Sequence, residues 1–272
     1  MYAQPILKAM ALLAKRNTFA ALIFSSVLGA CGGGGGGDSG GSPVTTTATA
    51  TSATSSLSQG RWLSSNLTPA YSAIVVPASS GANSPAVDTV WALAQDASRL
   101  IKLQINGTAL ASGTVSGKEY VLGTTTVTAI TGGSYSTTNL TQMSLQPLLG
   151  TTALFDRTDV MSTALQAAQA NGNWTANLGS VVVTWTVQSA NTGAAATHNL
   201  SGSSTTGCTY SGQSAVVTTQ SLYKVQFTET CAGTSQTFKG VATVSADGAH
   251  LTVVATNEDE TKAAALLFTP KP

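Results

Sequence analysis

Residues 181–188 read Val-Val-Val-Thr-Trp-Thr-Val-Gln, so every odd-numbered position is apolar and most even-numbered positions are polar. An alternation with a period of two is typical of a β-strand that buries one face and exposes the other. The same period appears in residues 101–105 and 223–228. These stretches predict an all-β fold of antiparallel strands.

Turn-forming residues recur between the predicted strands and mark where the chain should reverse. They are Asn106-Gly107, Gly132-Gly133, Asn191-Thr192-Gly193 and Asp247-Gly248. Strands that follow one another through short turns form a β-meander, which either closes into a small barrel or packs as a sandwich. The sequence leaves both architectures open.

A helical period replaces the alternation once, over residues 159–170. Asp159 is suited to cap the first turn of a helix, and Asn171-Gly172 is suited to end the last turn. We expect this short helix, within the linker 159–171, to join two β-lobes of residues 60–158 and 172–272.

The two lobes open on similar triplets, each with a glycine first and a tryptophan third. The triplets are Gly60-Arg61-Trp62 and Gly172-Asn173-Trp174. About a hundred residues of strand-like sequence follow each triplet, which is a common size for a domain. The match predicts an internal repeat.

Residues 1–30 have the order of a bacterial export signal. Residues 1–17 carry three basic side chains and no acid, residues 18–28 are mostly apolar, and Gly29 and Ala30 are small. That order is typical of a secretory signal peptide. The apolar run is shorter than the roughly 20 residues of a permanent membrane span. Met10 is an alternative start that keeps the same apolar run.

The four residues Leu28-Gly29-Ala30-Cys31 resemble the lipobox of bacterial lipoproteins. The resemblance implies cleavage between Ala30 and Cys31, a diacylglycerol on the Cys31 sulfur, and acylation of the new amino group. Several acyl chains anchor a protein stably where one chain does not. An ordinary signal followed by a chance cysteine is the alternative.

Residues 31–59 form the predicted tether, which begins with the lipidated cysteine and six glycines and continues in Ser, Thr and Ala. Such a composition cannot bury apolar surface, so we expect a flexible coil with an average reach of about 30 Å. A cysteine followed by glycines is similar to the start of many outer-membrane lipoproteins of Gram-negative bacteria. The resemblance implies a lipid anchor in the outer membrane, facing either the periplasm or the surface.

Cys208 and Cys231 are the only cysteines besides Cys31. Each shares a face of its predicted strand with an aromatic residue, Tyr210 in one case and Phe227 in the other. Two such thiols outside the cytoplasm should join as a disulfide, worth about 3 kcal/mol in the chain-entropy model. A metal or redox pair is disfavoured, because there is no Cys-x-x-Cys motif and no nearby histidine.

The C-terminal half also resembles a group of uncharacterised Gly-rich lipoproteins of Gram-negative bacteria, over about residues 172–272. The resemblance implies location and fold and no activity. A lipid anchor, a glycine tether and paired β-lobes are similar in architecture to the transferrin-binding and factor H-binding surface lipoproteins. The residues that carry the C-terminal resemblance are Gly207-Cys208-Thr209-Tyr210-Ser211-Gly212, Phe227, Cys231, Gly240-Val241-Ala242 and residues 266–272.

The charge balance excludes some classes of partner. The chain has twelve basic and eleven acidic residues, and three of the basic ones leave with the signal peptide. The mature net charge of about −2 offers no basic surface for nucleic acid and no polybasic run for anionic lipid. The membrane partner is therefore expected through the lipid on Cys31 alone.

No motif for catalysis, a cofactor or a metal stands out. His198 and His250 are isolated on polar segments, so we expect both to face solvent and neither to bind zinc. Gly-x-Ser-x-Gly and P-loop motifs are absent. Asp156 and Asp159 stay open as the carboxylate pair of a hydrolase, although acids beside a helix start are more often caps. We therefore assign no catalytic, cofactor-binding or metal-binding residue and expect no cofactor.

Two further groups are interpreted as structural. The acidic run Asn257-Glu258-Asp259-Glu260 lacks the spacing of a calcium loop and predicts a solvated hairpin loop. The four tryptophans are the best candidates for a surface that binds a protein or glycan ligand, whose identity stays open. Trp91 and Trp185 are in phase with apolar neighbours, however, which favours core packing. Trp62 and Trp174 lie at the lobe entrances, where they would plug barrel ends.

Three functional hypotheses follow from these observations. The first is a membrane-anchored envelope lipoprotein with a non-enzymatic binding or structural role. The second is a surface receptor or adhesin-type module that captures an external protein. The third is an envelope hydrolase with carboxylates at the lobe junction. Exposed apolar patches favour the second hypothesis, and a cleft with converging acids or histidines favours the third.

Overall fold

The computed structural model describes residues 59–77, 87–106, 112–138, 141–161, 167–191, 196–217 and 220–270. These residues belong to one compact unit. The predicted signal peptide, the cleavage site at Ala30 and Cys31, and the tether up to residue 58 lie outside the described residues.

The fold is all-β and consists of two closed antiparallel barrels of eight strands each. The prediction of two β-lobes is confirmed, and both lobes are barrels and not sandwiches. Barrel 1 contains β1 Gly60–Ser64, β2 Tyr71–Val76, β3 Val87–Ala94, β4 Arg99–Asn106, β5 Ser112–Val121, β6 Val127–Thr138, β7 Gln142–Leu148 and β8 Thr151–Asp159. Barrel 2 contains β9 Gly172–Leu178, β10 Val181–Ser189, β11 Thr197–Ser204, β12 Thr209–Val216, β13 Tyr223–Cys231, β14 Thr234–Val244, β15 Leu251–Asn257 and β16 Ala263–Pro270.

Each barrel is a meander in which every strand pairs with the next and the last strand returns to the first. Trp62 on β1 pairs with Arg157 on β8 and so closes barrel 1. Thr175 on β9 pairs with Thr269 on β16 and closes barrel 2. Closure leaves no unpaired sheet edge, which is how all-β proteins avoid edge-to-edge association.

The Gly-x-Trp triplets occupy equivalent places in the two barrels. Gly60 begins β1 with a φ of 142° and Gly172 begins β9 with a φ of 141°, a backbone conformation that side chains disfavour. Two residues later, Trp62 and Trp174 are buried inside their barrels. The triplet therefore sets the first strand of each barrel by the same local means.

The inward-facing side chains of the alternating strands fill both barrel interiors. In β10, Val181, Val183, Trp185 and Val187 point inward and are buried, and the residues between them are more exposed. In β4 the same pattern buries Leu103 and Ile105. Barrels of eight strands are just wide enough for side chains to occupy the centre, so each interior is a packed core.

The predicted helix over 159–170 is not confirmed. Asp159 is the last residue of β8, and its carboxylate accepts a hydrogen bond from the Met161 amide at 2.9 Å. Residues 162–166 lie outside the described part of the chain, and Ala167–Ala170 form a short 3-10 helix. The pairing of Asp159 with Arg61 extends the strand through the residue that the sequence favours as a helix cap.

The prediction of a turn at Gly132-Gly133 is wrong. Both residues lie within β6, where Val115 pairs with Gly133 and Gly117 pairs with Ile130. One extra residue on β6 makes a β-bulge, and Gly132 takes a φ of 69° there. The turn at Asp247-Gly248 does join β14 to β15. Gly107 of the predicted turn Asn106-Gly107, and Thr192 and Gly193 of the turn predicted after Asn191, lie outside the described residues.

Candidate functional site

The two barrels pack against each other through the outer faces of a few strands. β3 is apolar on both faces, because Val90, Ala92 and Ala94 fill barrel 1 whereas Trp91 and Leu93 point away from that core. The outward side chains join a cluster of buried residues from both barrels. The members are Val76, Trp91, Leu93, Leu100, Tyr120, Leu122, Met161, Leu222, Val241, Val254 and Ala265.

A polar contact lies beside this apolar seam and joins the β15–β16 turn to barrel 1. The Glu260 carboxylate accepts from Lys102 Nζ at 2.6 Å and lies 3.4 Å from Lys118 Nζ. Lys118 Nζ and Tyr120 Oη also donate to the Glu260 carbonyl oxygen, at 3.1 and 3.3 Å. We call these four residues the Glu260 latch. The latch connects residues that are 140 or more positions apart in the chain.

Electrostatics hold the latch in its charged form. The hydrogen bond from Lys102, with the charges of Lys102 and Lys118, lowers the pKa of Glu260 in spite of partial burial. Burial, and then the negative charge of Glu260, raise the pKa of Tyr120. Tyr120 therefore keeps its proton and remains a donor to the Glu260 carbonyl.

Lys102 also covers the tryptophan of the seam. Its Nζ lies 5.1 Å from the centroid of the Trp91 ring and donates to Thr256 Oγ1 at 3.3 Å. Trp91 and Lys102 are paired across β3 and β4. A cation over an indole face is attracted by the ring electrons, so Lys102 is held by three groups at the edge of the seam.

A cavity of about 480 Å³ opens between the barrels next to Lys102. Barrel 1 supplies Val76, Thr89, Trp91 and Lys102 as one wall. Barrel 2 supplies the outer face of β12, β13 and β14 as the other wall, together with Thr197. We call this cavity the inter-barrel groove. Its volume is within the range of small-molecule binding sites.

Strand register arranges the polar side chains of barrel 2 along the groove. Gln213 on β12 pairs with Gln226 on β13, which pairs with Lys239 on β14. Lys224 occupies the next outward position of β13. All four side chains are exposed, because alternation turns their neighbours, such as Val225 and Phe227, into the barrel core.

The charged residues that line the groove are all basic. They are Lys102, Lys224 and Lys239. Two acids of the β15–β16 turn pair with these lysines. Glu258 lies 2.7 Å from Lys239 Nζ, and Glu260 lies 2.6 Å from Lys102 Nζ. The groove can therefore offer ammonium donors, amides and hydroxyls to a ligand. Among the described residues that line the groove, there is no carboxylate, cysteine or histidine side chain to supply a base or a nucleophile.

The predicted cysteine pair is present as a disulfide between Cys208 and Cys231. Cys208 is buried, and Cys231 is partly buried against the barrel 2 core. Glu229 lies close enough to both sulfurs to resemble a metal-ligand group. Because the sulfurs are bonded to each other, they are not thiolates and cannot act as such ligands.

The prediction that His198 faces solvent is wrong. Its side chain is fully buried, with Nδ1 3.1 Å from Ser214 Oγ and the ring 5.3 Å from the Tyr223 ring. His198 is in phase with Leu200, which points into barrel 2. The alternation of His198 with Leu200 in the sequence therefore indicated an inward-facing histidine. His250, in contrast, is exposed as expected.

The candidate carboxylate pair does not form a shared site. Asp156 and Asp159 are both exposed, and an irregularity in the pairing of β8 with β1 lies between them. Asp156 accepts from Gln142 Nε2 at 3.1 Å, whereas Asp159 accepts from the Met161 amide. Neither side chain lines the inter-barrel groove.

The acidic run and the tryptophans are placed partly as expected. Glu258 and Asp259 lie exposed in the β15–β16 turn, but Glu260 is half-buried in the latch. Trp185 lies in a barrel core as predicted, and so do Trp62 and Trp174. Trp91 lies in the seam and not in a barrel core.

Comparisons with known proteins give no relative: no protein-family model, curated protein or solved structure matches the chain. Within the described ranges, no helix has the length and apolar character to cross a membrane.

Sequence reasoning missed the groove and the latch. The available signal was β3, whose run Val90-Trp91-Ala92-Leu93-Ala94 is apolar at every position. A strand that is apolar on both faces is typically covered on both faces. In an otherwise alternating barrel, that run marks the face that meets another body.

Proposed function

We propose that this protein is a membrane-anchored envelope lipoprotein with a non-enzymatic binding role, and that it holds its ligand in the inter-barrel groove. The observation that carries the binding role is the groove itself. Both barrel interiors are packed with side chains, and a cavity of about 480 Å³ lies between the barrels with polar and charged residues at its walls.

Export is supported by two independent features. The first is the order of basic, apolar and small residues that ends at Cys31. The second is the Cys208–Cys231 disulfide, a bond that persists in the oxidising compartments outside the cytoplasm. The four-residue resemblance to the lipobox supports lipid attachment at Cys31, and the glycine next to it supports the outer membrane.

A non-enzymatic role is supported by what the groove offers. Lysines, glutamines and threonines bind ligands well, whereas general acid–base catalysis commonly uses histidine or a carboxylate. One of the two histidines is buried inside barrel 2, and the two candidate aspartates are exposed and accept hydrogen bonds from different donors.

The receptor or adhesin alternative would need a large apolar contact surface. The exposed large apolar side chains among the described residues are Leu63, Leu149, Val160 and Leu267, spread over β1, the β7–β8 turn, the end of β8 and β16. This scatter favours a ligand held in the groove over a broad apolar docking face.

Replacing Cys31 with Ser tests the anchor. We expect the variant to leave the membrane fraction or to accumulate with its signal uncleaved, because the acceptor sulfur is gone. Ser42→Ala, a change in the tether, is the matched control and should fractionate like the parent protein. A Cys31→Ser protein that is cleaved normally and stays on membranes would contradict the proposal.

A panel of esters, glycans and peptides tests the non-enzymatic role. The protein should turn over none of them. Turnover that disappears in Asp156→Asn or Asp159→Asn, with the fold intact by circular dichroism, would instead support a hydrolase.

A further inference from the structure

We infer that the inter-barrel groove binds an oligosaccharide that carries carboxylate groups. The inference rests on the proposed binding role and names the chemical class of its ligand. It follows from the lysines that line the groove, from the exposed ion pair of Lys239 and from the polar groups between the lysines.

Positive charge is concentrated in the groove relative to the rest of the mature chain. Twelve basic residues occur in the whole sequence, and three of them leave with the signal. Of the nine that remain, Lys102, Lys224 and Lys239 line this one groove. The described residues of the lining include no acid, and Glu260 and Glu258 pair with Lys102 and Lys239 from beside the groove. In a chain with a mature net charge near −2, this distribution favours an anionic ligand.

The lysines differ in how firmly they are held. Lys102 is held by Glu260, Thr256 and the Trp91 ring, so its ammonium group has a fixed position in the wall of the groove. Lys239 pairs with Glu258, but both side chains are more than half exposed. An exposed ion pair contributes little to stability, so a ligand carboxylate can replace Glu258 at small cost.

The neutral groups between the lysines indicate a sugar. Gln213 and Gln226 stand side by side in the row that ends at Lys239, and Thr89 and Thr197 add hydroxyls at the walls. Amides and hydroxyls both donate and accept hydrogen bonds, as the hydroxyl groups of a sugar also do. A carboxylate on the same sugar would meet a lysine.

A protein segment typically binds through an apolar or aromatic anchor. Protein interfaces concentrate their energy in buried aromatic and apolar contacts. The apolar residues of the groove lining, such as Val76, Trp91 and Val241, are already at least nine-tenths buried in the seam. The lysines and amides beside them favour an acidic oligosaccharide as the ligand, and an acidic peptide is the competitor that the test includes.

Binding of defined oligosaccharides to the full lipidated chain, purified in mild detergent, tests the inference by calorimetry. The probes are trimers of galacturonic acid, a mannuronic acid trimer and a sialic acid trisaccharide. Each is paired with its methyl ester, which keeps the sugar and removes the charge, and an acidic peptide is included. At least one free acid should bind about tenfold more tightly than its ester, because charge-assisted hydrogen bonds are the stronger ones.

Lysine variants locate the site. Lys224→Gln and Lys239→Gln should each weaken binding of that acid about tenfold. Lys262→Gln removes the same charge from an exposed lysine outside the groove lining and should leave binding unchanged. Equal weakening by all three variants would show general charge attraction and would overturn the inference.

Binding of the peptide alone, or no preference for any acid over its ester, would also overturn it. The outcome separates this inference from the proposed function. If the purified protein carries lipid on Cys31 and turns over no substrate, but no acidic oligosaccharide binds, the ligand class is wrong and the lipoprotein proposal stands.

Discussion

Barrel 1 encloses Trp62 beneath the guanidinium of Arg157, whose Cζ lies 4.6 Å from the ring centroid. Barrel 2 encloses Trp185 against the rings of Tyr210, Phe227 and Phe268, with centroids 4.8 to 5.9 Å away. The same eight-stranded meander is thus filled once around a cation–aromatic contact and once around an aromatic cluster. The comparison shows that topology and the Gly-x-Trp start can be shared while the core is built differently.

Only barrel 2 contains a disulfide. Cys208 immediately precedes β12 and is bonded to Cys231, the last residue of β13, beside the pairing of Thr209 with Thr230. The barrel that presents the row of Gln213, Gln226 and Lys239 is therefore the one whose strands are cross-linked. Barrel 1 supplies the opposing wall through β3 and β4, which have no such bond.

Removing the central tryptophan of either barrel should have the largest effect. Trp185→Ala is expected to lower the free energy of unfolding by about 3–5 kcal/mol, because it leaves a large cavity in a packed core. Trp62→Ala should cost a similar amount. The ring contacts of Trp185, about 0.5–1.5 kcal/mol each, should make Trp185→Ala the worse of the two. Urea unfolding checks the order, and a loss below about 1 kcal/mol at either site would contradict the packing described.

Removing the disulfide should destabilise barrel 2 more than barrel 1. The double variant Cys208→Ala with Cys231→Ala should lose about 3 kcal/mol, and the loss should concentrate in barrel 2. Hydrogen exchange followed by mass spectrometry should show faster exchange in β12 and β13, with β2 to β4 unchanged. Equal acceleration in both barrels would show that they unfold as one cooperative unit.

The strands and the disulfide could be predicted because they depend on local patterns. Alternation placed Trp185 and Leu103 inside, and the shared phase of Cys208 with Tyr210 predicted the bond. The Gly-x-Trp triplet marked both barrel starts. These features need only neighbours along one strand or across one hairpin.

The groove and the latch could not be predicted because they depend on which outer faces meet. Lys102 and Glu260 are 158 residues apart. The sequence around each residue contains no pattern that identifies the other as its partner. The misplaced features have related causes. Gly132 serves a bulge and not a turn, and Asp159 is recruited by pairing with Arg61.

Breaking the latch should lower the free energy of unfolding by less than the tryptophan and disulfide variants do, and the loss should involve both barrels. Glu260→Gln removes the negative charge that Lys102 and Lys118 share, and we expect a loss of about 1 kcal/mol after allowance for partial exposure. Asp259→Asn, in the same turn but exposed, is the matched control and should change stability by less than about 0.5 kcal/mol. Thermal unfolding of the two variants gives the comparison.

The latch should also make stability depend on pH. The pKa of Glu260 is lower in the folded protein than in the unfolded chain, so its contribution is complete above the ordinary carboxyl range near pH 4. It is lost as the pH falls through the lower folded value, because the proton then removes the charge. The difference between the parent and Glu260→Gln should shrink over that interval. A difference that stays constant down to about pH 2 would contradict this role.

Two buried tyrosines should respond differently to loss of the hydroxyl, with effects no larger than that of the latch variant. The Tyr71 hydroxyl is buried in barrel 1 without a hydrogen-bond partner among the described residues, and burial raises the pKa of Tyr71 to about 12. Tyr71→Phe should be neutral or stabilising. Tyr210 in barrel 2 donates to Glu229 at 2.9 Å, so Tyr210→Phe should cost about 1 kcal/mol. Urea midpoints that move in the same direction would contradict the comparison.

The intact mass of the mature protein, extracted from membranes with and without reductant, tests the central proposal most directly. We expect a chain that starts at Cys31, carries the mass of a diacylglycerol and an added acyl chain, and gains two hydrogens when the Cys208–Cys231 bond is reduced. A chain that starts elsewhere, or that starts at Cys31 without lipid, would contradict it.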